Sequence, residues 1–339
     1  MKGSAAGQPG QVILVDYPSI RAGAEDLILT PTACGICATD VKQVQKGAKD
    51  TRFALGHELV GTIKKTSSSQ PWKQGQRVAV APYLPCGGCY YCQHGQGGLC
   101  SHLYEISISP GGLAEEVLIP AELGRRGTFA LLDDLNDETA ALAEPLGCVL
   151  KGLEDAHFQP GGSLLVIGDG PMGQLGAAAG RALGAEWIIM SGATDHRLQL
   201  ARRHFADAVV DVTRTSLKEE VLGRTEKRGA DCVLVTVSSG ETLADGIACV
   251  RPGGTVNAFA GVPEGTSIPL DVRKLHYQQY YLTGSSGVTP AHMHKALELL
   301  GSRKVDFHQV VTATFPFAQA GEAVAYVANR IGLKAVVTF

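Results

Sequence analysis

The pattern of apolar and polar positions along the chain changes near residue 138. Before it, short runs rich in Val, Ile and Leu are separated by turn residues, and they predict strands over 11–16, 26–32, 58–64, 77–81 and 114–119. No long helical period of 3.6 residues appears before about residue 138. The first part of the chain is therefore predicted to be mostly β.

From residue 136 onward, helices rich in small residues alternate with apolar strands. These strands lack a period of two, as strands buried on both faces of a parallel sheet do. They are predicted over 163–167, 186–190, 208–212, 232–237 and 255–260, with helical stretches such as 172–183 and 197–205 between them. The repetition predicts an α/β fold with a doubly wound parallel sheet. Two more helices, over 291–300 and 318–327, precede a last strand over 334–339.

Composition narrows the classes of function. The 339 residues suffice for two domains with separate cores, and the net charge of −3 gives no general affinity for nucleic acid or an anionic membrane. No apolar run approaches the ~20 residues of a membrane span, and the first ten residues lack the apolar core of a signal peptide. Nine cysteines without an export signal indicate the reducing cytoplasm, where thiols bind metals or fill cores.

Four of these cysteines, Cys86, Cys89, Cys92 and Cys100, have the spacing C-x2-C-x2-C-x7-C. Four thiolates this close in sequence can form a tetrahedral shell around one Zn²⁺. The alternative is a pair of loop disulfides, which requires an oxidising compartment that the sequence does not indicate. We therefore predict a structural zinc lobe over residues 86–100, with no open coordination position and no catalytic role.

A second motif follows the first strand of the α/β half. The apolar run 164–167 leads into Gly168, Gly170 and Gly173 in the pattern G-x-G-x-x-G, and a helix follows. The first glycine permits a sharp turn, the second lets the backbone approach a pyrophosphate, and the third lets helix and strand pack closely. Together with the intervening Pro171 and Met172, these glycines are predicted to bind the pyrophosphate of a nicotinamide dinucleotide at the helix N-terminus.

The acid that holds the adenosine ribose is expected about twenty residues beyond this loop, and that position falls on Gly192 or its neighbour, not on an acid. A carboxylate there would repel a 2′-phosphate, so its absence favours NADP over NAD. Thr194 and Arg197 are candidate contacts to that phosphate, together with His196. Alternatively, Arg197 packs on adenine or caps the following helix, and Asp195 takes over the ribose contact.

Further candidates lie upstream of the lobe and between the two halves. The chain contains Cys-Gly-Ile-Cys-Ala-Thr-Asp at 34–40, Gly-His-Glu at 56–58 and Glu-Pro-Leu at 144–146. Singly, such a histidine or glutamate is more often structural than functional. In this order, and with the cysteine lobe and the glycine loop, the motifs resemble the zinc-dependent medium-chain dehydrogenase/reductase family, closest to its sorbitol (polyol) and threonine dehydrogenase branches. The resemblance extends over nearly the whole chain.

The resemblance implies a fold and a domain order. A GroES-like, mostly β catalytic domain would comprise residues 1–147, including the zinc lobe, and would resume at 288–339. A doubly wound Rossmann domain that binds NAD or NADP would comprise residues 148–287. Because members of these branches are often tetramers, the resemblance also implies a homo-oligomer, either a tetramer or a dimer.

A second, catalytic zinc is also implied by the resemblance. Its ligands would be Cys37, His57 and Glu144, with Glu58 as a further candidate because members of these branches differ in the coordinating glutamate. Asp40 would hydrogen-bond the His57 ring and fix its tautomer. Three protein ligands leave a position open for water or the substrate oxygen. The ion would act as a Lewis acid on the alcohol, so that hydride can pass to the cofactor.

Three other residues receive roles from the resemblance. Thr39 would connect the substrate hydroxyl to the path of proton release, and Lys334 in the last strand would contact the cofactor pyrophosphate. Lys42 stands where many relatives carry histidine as the outer proton acceptor, so the relay would use Lys42, or water and the cofactor ribose instead. The remaining cysteines are predicted to be small core residues: Cys34, Cys148, Cys232 and Cys249.

The expected function is that of a zinc- and NAD(P)-dependent secondary alcohol dehydrogenase acting on a small molecule, namely a polyol, cyclitol or sugar derivative. A threonine-dehydrogenase-like enzyme acting on a β-hydroxy amino acid is the alternative. A quinone or enoyl reductase of the same fold would have no use for Cys37, His57 and Glu144. From other classes, a nucleic-acid-binding zinc module would need a basic helix that the chain lacks, and a catalytically silent redox sensor would bind NADP(H) without turnover.

Overall fold

A computed structural model describes residues 1–47 and 51–339, which contain fifteen strands and twelve helices. The strands are β1 (Lys2–Ala6), β2 (Val12–Asp16), β3 (Leu27–Gly35), β4 (Glu58–Lys65), β5 (Arg77–Val80), β6 (Val117–Ile119), β7 (Thr128–Ala130), β8 (Ser163–Ile167), β9 (Trp187–Gly192), β10 (Ala208–Asp211), β11 (Ala230–Val235), β12 (Val250–Ala258), β13 (Tyr281–Gly284), β14 (Val311–Pro316) and β15 (Lys334–Thr338). The helices are α1 (Ala38–Lys46), α2 (Tyr90–Gln93), α3 (Ala121–Arg126), α4 (Asp137–Ala140), α5 (Ala143–Asp155), α6 (Pro171–Ala182), α7 (Asp195–His204), α8 (Leu217–Arg224), α9 (Gly240–Cys249), α10 (Val272–Gln278), α11 (Pro290–Gly301) and α12 (Ala320–Ala328). Within this described part of the chain, no helix combines the length and the apolarity needed to cross a membrane.

The chain divides into two compact units. The first comprises Met1–Gly147, Val288–Gly301 and His308–Phe339. The second comprises Cys148–Gly287 and Ser302–Phe307.

The first unit contains a seven-stranded sheet. Its strand order is β14-β15-β3-β4-β5-β7, and β6 pairs with β3. Strand β3 runs antiparallel to β4, and the register places Gly35 directly opposite Glu58. The end of β3 therefore lies beside the start of β4, and α1 begins three residues after β3.

Helix α1 lies in the half where no long helical period was found. It is nine residues long and buries only Asp40, Val41 and Val44. Such a short, mostly polar helix has too narrow an apolar stripe to show a clear period of 3.6. The prediction of a mostly β first half is confirmed, but it missed the helix that positions part of the site.

The second unit contains a six-stranded sheet in the order β10-β9-β8-β11-β12-β13, and every adjacent pair is parallel. All five residues of β8 are buried, as expected for a central strand covered on both faces. This confirms the predicted doubly wound sheet. The prediction missed β13, an edge strand whose Tyr281 and Leu282 are exposed and which therefore has no buried apolar run.

Candidate zinc centres and dinucleotide site

The four cysteines of the lobe converge on one point. The sulfur–sulfur distances are 3.6 Å for Cys89–Cys92, 3.8 Å for Cys89–Cys100 and 4.0 Å for Cys86–Cys92, and all four sulfurs lie within 4.8 Å of one another. Sulfurs bound tetrahedrally at a Zn–S distance of about 2.3 Å would be about 3.8 Å apart. The donor set therefore fits Zn²⁺. All nine cysteines lie in the described residues and are free thiols, which contradicts the alternative of loop disulfides.

Backbone N–H groups surround these sulfurs. Cys86 N donates to Cys100 Sγ and Cys89 N donates to Cys86 Sγ, each at 3.4 Å. The backbone hydrogen bond from Cys92 lowers the pKa of the Cys89 thiol to about 6, whereas burial raises the pKa of Cys92 to about 12. The lobe thus already stabilises negative charge on part of its sulfur cluster, and thiolate is the form that binds zinc.

Cys37 and the loop before His57 are tied together by one buried carboxylate. Cys37 is the N-cap of α1, and Asp40 Oδ2 accepts its N–H at 2.8 Å in a capping box. Asp40 Oδ1 accepts the N–H of Gly56 at 2.9 Å. The same Oδ1 lies 3.8 Å from His57 Nδ1, which is an ion-pair distance and not the predicted hydrogen bond. Asp40 therefore positions the backbone on both sides of the candidate ligands.

Glu58 presents a buried oxygen to the same region. Its side chain is 1% exposed, and Oε2 has no hydrogen-bond partner in the part of the chain that the structure describes. A Cβ atom at Gly35 would lie 1.9 Å from this Oε2, so the glycine opposite Glu58 leaves the space that the carboxylate fills. A buried carboxylate oxygen without a donor is costly unless a cation compensates it. The arrangement fits a metal ion.

The structure brings together Cys37, His57 and Glu58. One ligand atom from each lies within 4.8 Å of the other two. Glu144, predicted as the third ligand, is buried but does not belong to this group. The geometry therefore favours Glu58 over Glu144 as the third donor, and the ligand identities stay predictions.

His57 lies in a strongly negative environment. Burial lowers the pKa of its imidazole, but the hydrogen bond with Cys37 and the charges of Asp40 and Glu144 outweigh burial, so that the pKa is well above its ordinary value. These groups favour positive charge at this point, whether it is a proton or a metal ion. The negative charge around His57 is therefore consistent with a cation bound by Cys37, His57 and Glu58.

Lys334, predicted to contact a pyrophosphate, has other partners in the structure. It is 3% exposed, and its Nζ donates to Glu58 Oε1 at 2.6 Å and to the carbonyl of Ile36 at 3.2 Å. Burial lowers the pKa of Lys334, but the charges of Glu58, Cys37 and Glu144 and the hydrogen bond to Glu58 together outweigh burial and leave the pKa raised. Sequence reasoning missed this ion pair, and the contact to a cofactor stays a prediction.

The two residues assigned to proton release lie on the outside of α1. Thr39 and Lys42 are exposed, and they are three residues apart, so they share one face of the helix. Thr39 Oγ1 lies 3.6 Å from Cys37 Sγ. Thr39 is therefore close to the candidate zinc, and the relay through Lys42 stays a prediction.

The glycine loop of the second unit has the shape of an anion cradle. A Cβ at Gly173 would lie 1.9 Å from the Gly168 carbonyl oxygen, whereas a Cβ at Gly170 would meet nothing within 4 Å. Gly170 is the N-cap of α6, and Pro171 and Met172 form its first turn. Helix and strand are thus in close contact while the helix N-terminus is open, which fits the pyrophosphate of a dinucleotide.

Gly192 ends β9, and Thr194 is the N-cap of α7. Arg197 lies in α7 with only 6% of its surface exposed. Although residue 192 is a glycine, a carboxylate lies beside it, because the side chain of Asp169 in the glycine loop packs against Gly192. Sequence reasoning missed Asp169, although a charged residue between the first two glycines of the motif was a visible signal.

Comparison with known protein families gives two matches. Residues 23–124 match the alcohol dehydrogenase GroES-like domain, and residues 171–302 match the zinc-binding dehydrogenase domain. The two matches correspond to the mostly β half and the α/β half of the chain.

Individual relatives match over nearly the full length. Sorbitol dehydrogenase of Bacillus subtilis (strain 168) is 28% identical over 331 residues, covering 95% of this chain and 92% of the relative. A protein named probable D-xylulose reductase A from Arthroderma otae is 30% identical over 327 residues, covering 93% and 90%. Among solved structures, one assigned as a zinc-binding dehydrogenase from Sinorhizobium meliloti 1021, bound to NADP, has a TM-score of 0.91 and 25% identity, covering 100% and 99%.

Proposed function

The chain belongs to the zinc-dependent medium-chain dehydrogenase family, and on that premise we propose that it oxidises a secondary hydroxyl group of a polyol, cyclitol or sugar derivative with a nicotinamide dinucleotide. One observation carries the catalytic part of the proposal. Cys37, His57 and Glu58 bring a thiol, an imidazole and a carboxylate oxygen together near the N-terminus of α1, and Oε2 of Glu58 has no hydrogen-bond partner in the described part of the chain. Three such donors leave a coordination position for the substrate.

Zinc, the nicotinamide cofactor and the protein's own side chains have different roles in the proposed reaction. Cys37, His57 and Glu58 would hold zinc, which would supply Lewis acidity toward an alcohol hydroxyl, and a bound nicotinamide ring would supply the hydride acceptor. The protein holds the donors in place through Asp40, whose carboxylate bonds the backbone at Cys37 and Gly56.

Proton release is assigned to the exposed side of α1. The Thr39 hydroxyl lies 3.6 Å from Cys37 Sγ and can take part in a hydrogen-bonded path from the substrate oxygen. Lys42 follows on the same helix face and extends that path toward solvent.

The substrate class is supported by the relatives. Two proteins that match nearly the whole chain are named sorbitol dehydrogenase and D-xylulose reductase, and both names refer to polyols and their ketoses. A β-hydroxy amino acid, the substrate of the threonine branch, is the competing class. The cytoplasmic location and the homo-oligomer remain predictions.

The cofactor is a nicotinamide dinucleotide, and the observations on whether it is NAD or NADP point in opposite directions. The sequence-based preference for NADP is supported by one relative that was solved with NADP. It is opposed by the position of Asp169 beside Gly192.

Substitution of Cys37 by Ser tests the proposal. We expect C37S to lose one equivalent of zinc and nearly all turnover. The zinc ion bound by the four cysteines of the lobe should remain. Zinc content is measured by elemental analysis, and turnover by NAD(P)H absorbance with a panel of polyols, aminocyclitols and L-threonine. Cys232→Ser, at a buried cysteine of β11, is the matched control and should retain both ions. Full turnover in C37S would refute the metal mechanism.

A further inference from the structure

The carboxylate of Asp169 occupies the space beside Gly192. A Cβ at Gly192 would lie 2.3 Å from Asp169 Oδ2 and 2.5 Å from Asp169 Cγ. In dinucleotide-binding folds the residue at the end of the second strand carries the acid that contacts the adenosine ribose. Here the glycine at that position leaves a gap, and an acid from the neighbouring loop fills it.

Two backbone donors hold this carboxylate in place. Asp169 Oδ2 accepts the N–H of Ala193 at 3.0 Å and the N–H of Thr194 at 2.8 Å. These donors lie between the end of β9 and the start of α7, where they would otherwise be available to an anion. A carboxylate has about four acceptor positions, so Oδ1 retains capacity for hydroxyl donors of a ribose.

We propose that Asp169 reads the adenosine ribose and selects NAD(H) over NADP(H). This inference rests on the proposed binding of a nicotinamide dinucleotide. A carboxylate accepts hydrogen bonds from the 2′- and 3′-hydroxyls of an unmodified ribose, whereas it repels a 2′-phosphate.

Arg197 does not oppose this assignment. Its side chain is 8% exposed, and its Nη1 lies 3.9 Å from Asp169 Oδ1. The positive charge that could attract a 2′-phosphate is therefore buried and offset by Asp169. Of the three groups that the sequence suggested for phosphate binding, Thr194 contacts Asp169 through its N–H and Arg197 through its guanidinium, and His196 is the third.

Binding measurements on the full-length, zinc-loaded protein test the inference. Dissociation constants for NADH and NADPH are obtained from the fluorescence of the reduced nicotinamide. We expect the wild type to bind NADH at least about tenfold more tightly than NADPH. Asp169→Asn keeps an oxygen acceptor but removes the charge, so it should weaken NADH binding, strengthen NADPH binding and shift their ratio by about tenfold or more.

Asp195→Asn is the rival variant. Asp195 is an exposed acid at the first position of α7, and under the proposal D195N leaves the ratio unchanged. A ratio that moves in D195N but not in D169N would overturn the inference, as would a wild type that binds NADPH as tightly as NADH. Should D169N fail to fold, the wild-type ratio alone decides. Failure of the wild type to bind either dinucleotide would instead refute the proposed function, and the inference with it.

Discussion

The Nζ atom of Lys334 lies 2.6 Å from Oε1 of Glu58, and both side chains are almost completely buried. The ion pair joins the start of β15 to the start of β4, two strands that flank β3 in the sheet. The other oxygen of Glu58, Oε2, has no hydrogen-bond partner among the residues that the structure describes. Lys334 therefore fixes the direction in which Glu58 presents its free oxygen.

Replacement of Lys334 by Met should destabilise the first unit. In the zinc-free protein Glu58 would then remain buried without a cation, and we expect a loss of about 3–5 kcal/mol in its free energy of unfolding. Chemical denaturation measures the change. The double variant K334M/E58Q removes both charges and should recover part of the stability, and a loss below about 1 kcal/mol in K334M alone would contradict a dominant role for the ion pair.

Replacement of Gly35 by Ala should displace the Glu58 carboxylate. The new methyl group would lie 1.9 Å from Oε2, in the space that this oxygen occupies. We expect G35A to lose the zinc bound by Cys37, His57 and Glu58 (the Cys37 site) and to lower kcat/KM by more than about tenfold. Gly223→Ala is the control, because a Cβ at that helical position meets nothing within 4 Å. Unchanged zinc content and turnover in G35A would show that Glu58 is not needed as a ligand.

The local parts of the site could be predicted from the sequence. The spacing of the four cysteines and of the glycines in the loop is a property of a short segment, so the pattern alone indicated which atoms converge. The buried strands were equally visible, because a parallel sheet covered on both faces requires continuous apolar runs.

The non-local parts could not be predicted in the same way. Lys334 and Glu58 are 276 residues apart and meet only because β15 and β4 both flank β3. Asp169 reaches Gly192 because β8 and β9 are adjacent and parallel, and a glycine leaves room for it. Neither pairing has a sequence spacing that would reveal it, so the sequence alone indicates neither the contact of Lys334 with Glu58 nor that of Asp169 with Gly192.

Replacement of Cys89 by Ser should affect the lobe and not the Cys37 site. Three thiolates hold zinc less tightly than four, so we expect C89S to lose one zinc equivalent and to unfold at a lower temperature than the wild type. Elemental analysis and calorimetry measure the two effects. Cys249→Ser, at a buried cysteine of α9, should retain all zinc. Full zinc content in C89S after dialysis against a mild chelator would exclude the four-sulfur site.

Asp231 should make the free energy of unfolding of the second unit depend on pH in the acidic range. It lies in β11, its Oδ2 accepts from Ser163 N at 2.9 Å and from Ser163 Oγ at 2.6 Å, and Oδ1 pairs with Arg251 of β12. One carboxylate thus connects three adjacent strands, β8, β11 and β12. Burial raises the pKa of Asp231, but the hydrogen bonds from Ser163 and the charge of Arg251 outweigh burial and lower it overall.

The direction of that pKa shift gives the sign of the effect. A carboxyl with a lower pKa in the folded state than in the unfolded state stabilises the fold above the unfolded pKa of about 3.9, and the contribution is lost as the pH falls through the folded pKa. We expect Asp231→Asn to lower the free energy of unfolding by about 1 kcal/mol between pH 5 and 7, with the difference from wild type shrinking below about pH 4. Urea unfolding across this range measures it, with Asp245→Asn, at an exposed residue of α9, as the control. A difference that stays constant down to pH 3 would mean that the carboxylate charge contributes nothing and that only the shape of the side chain matters.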